Sequence, residues 1–153
     1  GLEYYAKVPW IKGSFVSNTG RKAKNSEDLM IFSKGKARAL RIDAKKTNST
    51  GSECFMSGTN RMLPTVFNVP PVKRKEIYAQ SQKPVDLFEQ LLEYLTRENE
   101  IVLDQFAGSG SVGKACRKTG RKSILIEKKH ERVERITSEL DCISFPFDQL
   151  QKA

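Results

Sequence analysis

The chain has 153 residues, with 38% hydrophobic and 29% charged residues, which suits an ordinary globular domain with a sizeable core and excludes a disordered chain. No apolar run approaches the ~20 residues of a membrane-spanning helix, and no signal-peptide pattern is present, so a cytoplasmic protein is expected. The formal net charge of +9 is uneven: residues 1–83 hold 16 basic and 6 acidic residues, residues 84–153 hold 11 and 12. A one-sided basic excess points to an acidic polymer, most simply nucleic acid, or else to a solvated basic face.

In chain order, Tyr4 to Trp10 read as a strand with aromatic weight, leading into Trp10-Ile11-Lys12-Gly13. Ser14 to Ser26 are polar, with Arg21, Lys22 and Lys24, and read as an exposed loop. Leu29 to Ser33 form a second strand, Lys34-Gly35-Lys36 turn the chain, and Ala37 to Ile42 read as a third extended piece. Asp43 to Met56 are rich in Lys, Thr, Ser, Asn and Gly without periodicity and read as a loop or insertion, and Pro64 to Pro71 as an extended connector. Pro84 suits the first turn of a helix whose Leu87, Phe88, Leu91, Leu92 and Leu95 share one core-facing stripe.

Ile101, Val102 and Leu103 are a β-branched apolar run, read as a buried strand, ending at Asp104-Gln105-Phe106. Ala107-Gly108-Ser109-Gly110 then turn into a short helix faced by Val112, Ala115 and Cys116, which Gly120 stops in the left-handed region. Ser123 to Ile126 make a second strand with Glu127 at its carboxyl end. A β-loop-α-β unit of this kind carries a nucleotide-sized pocket over the strand ends. Val133, Ile136 and Leu140 stripe a final helix, with Glu131 and Arg135 spaced for an i,i+4 pair, and Phe145-Pro146-Phe147 lie in a tail expected to dock. The three cysteines, Cys54, Cys116 and Cys142, have no C-x-x-C spacing and are read as reduced thiols. The single histidine, His130, lies in a charged run and is read as solvated, so no metal site is expected.

Gly108, Gly110 and Gly113 also spell G-x-G-x-x-G, which invites a nicotinamide-dinucleotide reading. Charge argues otherwise. A pyrophosphate sits at the helix N-terminus, and Asp104 would place a carboxylate just before it. S-adenosylmethionine carries an ammonium and a sulfonium and no phosphate, so the same carboxylate would attract it. Glu127 suits either ligand, since both offer ribose hydroxyls.

The run Leu103-Asp104-Gln105-Phe106-Ala107-Gly108-Ser109-Gly110 resembles the D-P-F-x-G-S-G signature of DNA amino-methyltransferases, with Gln105 in place of proline. Ser81-Gln82-Lys83-Pro84 resembles the T-Q-K-P element that precedes it in permuted members, with Ala79 where histidine is common. Trp10-Ile11-Lys12 and Glu27 before Leu29-Met30-Ile31-Phe32 are similar to the family's late strands, with Ser26 where histidine is common. The resemblance implies an α/β fold, a methyltransferase-like (Rossmann-like) mixed sheet flanked by helices, incomplete in this chain. It implies one methyltransferase domain over residues 1–153: late strands in 1–43, a short target-recognition-like insertion in 44–78, the cofactor unit in 79–140 and a tail in 141–153. The cofactor implied is S-adenosylmethionine. Asp104, Phe106, Ala107, Gly108, Ser109 and Gly110 would hold its methionine part, Glu127 its ribose with Lys128 near the adenine, and Ser81, Gln82 and Lys83 would close the carboxylate side.

The reaction implied is methylation of adenine N6 or cytosine N4 in double-stranded DNA, of the restriction-modification kind. Candidate phosphate contacts are Lys12, Arg21, Lys45, Lys46 and Arg61, with Lys73, Arg74 and Lys75 beside them. The family's Asp/Asn/Ser-Pro-Pro-aromatic tetrapeptide, which presents the flipped base amine, has no counterpart: the one Pro-Pro, in Asn68-Val69-Pro70-Pro71-Val72, lacks the aromatic. No catalytic residue is therefore assigned, and an upstream segment or a complementing chain, in a homodimer or otherwise, is expected to supply that motif. Two other classes stay open, a non-catalytic DNA-binding module or decayed enzyme, and a nicotinamide-dependent oxidoreductase.

Overall fold

The computed structural model describes residues 1–13, 17–18, 23–35, 45–47, 53–55, 63–79 and 81–145. The chain divides into two compact units, Gly1–Pro71 with Gln90–Arg97, and Val72–Glu89 with Glu98–Ala153. Among the described residues no helix is long and apolar enough to cross a membrane.

In the first unit, strand β1 (Glu3–Ile11) is the middle of a three-stranded sheet. Strand β4 (Ser26–Ser33) pairs antiparallel with it from Glu3↔Ser33 to Ile11↔Ser26, with a register shift between Tyr4 and Ala6. The expected loop over Ser14–Ser26 is corrected here, because pairing with Ile11 starts β4 at Ser26, and two-residue strands β2 (Ser17–Asn18) and β3 (Ala23–Lys24) pair before it. The connector is corrected too: Phe67–Asn68 form strand β7, parallel to β1 at Trp10↔Phe67 and Ile11↔Asn68. The alternation explains this, since Phe67 and Val69 are buried while Asn68 between them is exposed. Trp10, also buried, donates its indole N–H to the Val69 carbonyl at 2.7 Å, which anchors the residue just before the Pro-Pro pair. Phe67 meets Tyr94 edge to face, ring centroids 6.0 Å apart.

Strands β5 (Lys45–Thr47) and β6 (Glu53–Phe55) pair antiparallel where a loop is expected. The expected strand over Ala37–Ile42 lies outside the described residues. Helix α1 (Val85–Leu95) starts directly after Pro84 and buries Leu87 and Leu92 from the predicted stripe.

In the second unit, strands β8 (Ile101–Asp104) and β9 (Lys122–Leu125) are parallel, with Asp104 opposite Leu125. Helix α2 (Ser111–Lys118) connects them and helix α3 (His130–Leu140) follows. Gly113 lets α2 approach the strands, since a Cβ there would stand 2.6 Å from Leu125 Cδ1 and 2.7 Å from Leu140 Cδ1. Gly120, at φ +71°, follows the last turn of α2 as expected. The expected burial of β8 is corrected: Ile101 and Leu103 are 64% and 53% exposed, as Ile124 on β9 is at 53%. These residues alternate with Val102 and Leu125, and α2 packs only on the latter face, which a run of three apolar residues does not reveal. The expected Glu131–Arg135 pair is also absent, because Arg135 donates to Glu139 at 2.8 Å instead. Ile143 and Phe145 of the tail are exposed, contrary to the expected docking; Pro146 and Phe147 lie outside the described residues.

Candidate functional site

The candidate site is the carboxyl end of β8 and β9, where the chain turns through Asp104–Gly110. Strand pairing does not stop at Asp104: Ile126 N–H donates to the Asp104 carbonyl at 2.8 Å, and Ala107 N–H to the Ile126 carbonyl at 2.9 Å. Asp104 bends the chain by accepting the Phe106 N–H on its carboxylate at 3.0 Å. Phe106 projects from the turn, 88% exposed, while Ala107 is buried beneath it. Gly108 and Gly110 sit at φ +54° and +70°, where an L-residue is strained. The two differ in surroundings. A Cβ on Gly108 would find only the Phe106 carbonyl at 3.6 Å, whereas one on Gly110 would press on Ile136 Cγ1 at 2.9 Å. Gly108 thus leaves room above the turn, and Gly110 allows α3 to pack below it.

Glu127 closes the turn. Its Oε2 accepts the Gly108 N–H at 2.8 Å, its Oε1 accepts the Lys129 N–H at 2.9 Å, and Arg132 Nη1 stands 3.8 Å from Oε2. Burial raises its pKa, but the amides of Lys129 and Gly108 and the Arg132 charge outweigh that and hold it below the ordinary 4.5. Two carboxylates, from Asp104 and Glu127, therefore stand at neighbouring strand ends. A pyrophosphate there would face both, while a cation with neighbouring hydroxyls finds acceptors.

The Ser81-Gln82-Lys83 segment is brought to this turn. Ser111 Oγ donates to the Lys83 carbonyl at 2.8 Å, which uses its one proton, so Ser109 Oγ is the donor in their 2.9 Å contact. Both serines are buried. Ser81 adopts φ +59°, Gln82 Oε1 accepts the Tyr78 N–H at 3.2 Å, and Lys83 Nζ reaches the Ser81 carbonyl at 3.4 Å. Lys128 is exposed beside Glu127.

The described DNA candidates are divided between the two units. Lys12 lies in the first unit, its side chain 11% exposed, ion-paired with Glu27 and 5.2 Å from the Trp10 ring centroid. Lys45 and Lys46 belong to β5, and Arg21 and Arg61 lie outside the described residues. Lys73, Arg74 and Lys75 are exposed around a single 3₁₀ turn. Residues that sequence reasoning missed are Tyr78, whose hydroxyl donates to the Ser109 carbonyl at 2.5 Å, Ser111, and Lys114, which donates to the Tyr78 oxygen at 3.2 Å. The second serine of Gly-Ser-Gly-Ser was a visible signal for Ser111; nothing local marks Tyr78, 31 residues before its partner. Among the described residues no three His, Cys, Asp or Glu side chains are grouped to hold a metal.

The family profile described as DNA methylase matches residues 2–139, from the start of β1 to the last turn of α3. The chain belongs to the DNA methylase family. It is 24% identical to the type II methyltransferase M.HpaI of Haemophilus parainfluenzae over 99% of its own length and 50% of that protein's. A 51-residue stretch, 33% of the chain and 16% of the relative, is 43% identical to the type II methyltransferase M.HindIII of Haemophilus influenzae. Among solved structures, the M1.HpyAVI–SAM complex superposes with a TM-score of 0.66 at 24% identity, over 93% of this chain and 64% of that one. The cytosine-N4-specific PvuII DNA methyltransferase superposes with 0.61 at 16% identity, over 97% and 56%. These likenesses establish the methyltransferase fold expected from the sequence. The chain spans half the length of M.HpaI.

Proposed function

We propose that this chain is the cofactor-binding part of an S-adenosylmethionine-dependent DNA methyltransferase acting on an exocyclic amine, adenine N6 or cytosine N4. The observation that carries the reading is the pair of carboxylates, Asp104 and Glu127, on adjacent parallel strand ends around a turn left open by Gly108. When bound, the cofactor supplies an electrophilic methyl group on a sulfonium. Asp104 with Phe106, Ala107, Gly108, Ser109 and Gly110 would hold its methionine part, the carboxylate countering the ammonium. Ser81, Gln82 and Lys83 would close the carboxylate side, and Lys128 would lie towards the adenine. Glu127 is an ionised acceptor at neutral pH, and its oxygens, which accept the Gly108 and Lys129 amides, would also accept from the ribose hydroxyls. The family membership and the names of the relatives, type II methyltransferases and a cytosine-N4-specific enzyme, support the substrate class.

Double-stranded DNA is the partner that the basic excess of residues 1–83 fits, through phosphate contacts at Lys45, Lys46, Arg21 and Arg61. The reading stops short of catalysis by this chain alone. Its one Pro-Pro segment is held in the first unit by the Trp10 bond to Val69, and no Pro-Pro-aromatic clamp is present in the sequence. The non-catalytic reading is kept by that observation: residues 1–153 bind cofactor and DNA but transfer no methyl group unless the clamp is added. Titration calorimetry with S-adenosylmethionine, its demethylated product and NAD tests the cofactor assignment. Binding of the first two and not of NAD is expected; NAD binding that survives Asp104→Ala refutes it.

A further inference from the structure

We propose that Tyr78 is a positioning residue that sets the orientation of the glycine turn for its cofactor, an inference that rests on the cofactor reading above. The Ser109 carbonyl belongs to the peptide that joins Ser109 to Gly110, which sits in the left-handed region at φ +70°, as Gly108 does one residue before Ser109 at φ +54°. With glycine on its far side and another just before Ser109, this peptide resists rotation less than one set among residues that all carry a Cβ. Two hydrogen bonds fix it from opposite ends. Gly110 N–H donates to the Ala107 carbonyl at 2.7 Å, and the Ser109 carbonyl accepts from the Tyr78 hydroxyl at 2.5 Å.

The phenol is itself held on two sides. Lys114 Nζ donates to its oxygen at 3.2 Å, and the Arg135 guanidinium carbon lies 3.4 Å from its ring centroid. Both cations are tied to one carboxylate, Glu139, which pairs with Lys114 and accepts from Arg135 Nε at 2.8 Å. A hydroxyl that accepts from an ammonium is polarised and donates more strongly in turn, so Lys114 reinforces the bond to Ser109. Burial alone would drive Lys114 towards its neutral form, but Glu139 and Tyr78 overrule it and keep the ammonium. The direction of the contact separates positioning from simple packing. Tyr78 is only half-buried, and its bond ends on a backbone carbonyl within the turn. Removing the hydroxyl should therefore loosen the turn and weaken cofactor binding while leaving the unit folded.

The test compares the wild-type chain with Tyr78→Phe, which keeps the ring and its stacking on Arg135. Each is titrated with S-adenosylmethionine and its demethylated product, with the thermal midpoint and the exchange rates of the Phe106–Gly110 amides measured alongside. Loss of one hydrogen bond at this strength predicts a Kd raised about 5- to 10-fold, faster exchange confined to the turn, and little movement of the midpoint. Lys114→Met, which leaves the hydroxyl in place, should raise Kd about 2- to 3-fold, and the double variant should be no weaker than Tyr78→Phe alone. Lys114→Met carries the test should Tyr78→Phe fail to fold. Wild-type binding with unchanged Kd in these variants overturns the inference and leaves the cofactor reading standing, as does a Kd rise matched by a general loss of stability. No binding by the wild type overturns the cofactor reading, and this inference with it.

Discussion

The first unit and the second solve different problems with the same α/β materials. The first is held by pairing across long stretches of chain: β4 returns onto β1, and β7 joins β1 so that Trp10 reaches Val69, 59 residues later. On its sheet Lys12 pairs with Glu27, and Lys7 with Asp28 at 3.7 Å. The second concentrates its polar atoms at one end of two short strands, where the glycine turn leaves two carboxylates beside open space. The contrast teaches that long-range pairing alone does not gather polar groups at one place. What marks the second unit as a candidate site is backbone held in sparsely populated conformations and carboxylates that the fold orients without burying away.

That contrast can be broken most directly at Asp104. Asp104→Ala should weaken S-adenosylmethionine binding about 100-fold, about 2–3 kcal/mol, because the ammonium loses a counter-charge in a partly desolvated site. Calorimetry shows this, and the amides of β1 and β4 should keep their exchange protection. The reciprocal change is Trp10→Ala, which removes a fully buried aromatic and leaves the Val69 carbonyl without its donor. A loss of about 3–5 kcal/mol is expected in denaturant titrations, with exchange rising first in β1, β4 and β7.

Within the second unit, Gly110→Ala should cost about 2 kcal/mol, from left-handed strain plus the 2.9 Å approach to Ile136. Gly108→Ala keeps only the strain, so the difference between the two, read from thermal melts, measures the packing against α3. For DNA, replacing Lys45 and Lys46 by alanine should reduce the slope of log K against log salt by about one each, equally for unrelated duplexes. Filter binding across a salt series reports it; a slope that does not move assigns the phosphate contacts elsewhere.

The smallest effect expected is on pH. Glu127 has a lowered pKa when folded, so its contribution to stability is present above the ordinary value of 4.5 and lost as pH falls through the folded value. Glu139, lowered by Lys114 and Arg135 despite burial, acts in the same window. Glu127→Gln should therefore lower the plateau near neutrality slightly and flatten the loss of stability below about pH 4.5, which acid titration of the unfolding midpoint would detect.

Much of the candidate site was legible because it is local. A β-branched run, an aspartate, two glycines and an apolar helix face follow one another within the reach of a single strand-turn-helix, and the structure keeps them in that order. Errors came where the outcome depended on what lies opposite. Ile101 and Leu103 are apolar but exposed, since apolarity does not say which face of a strand a helix will cover. Arg135 chose Glu139 over Glu131 because Glu139 also holds Lys114 and because the Tyr78 ring lies under the guanidinium.

The sequence by itself determined the glycine turn, the helix that follows it, and the placing of Asp104 and Glu127 at strand ends, for these rest on backbone preferences and spacing that neighbouring residues carry. Only the tertiary structure decided that Phe67–Asn68 become a strand beside β1, that Gly113 is a packing glycine against Leu125, and that Tyr78 rests on Ser109. Each of those pairs residues 12 to 57 positions apart, and a contact at that range is fixed by the register of strands and the approach of helices, which no stretch of sequence holds alone.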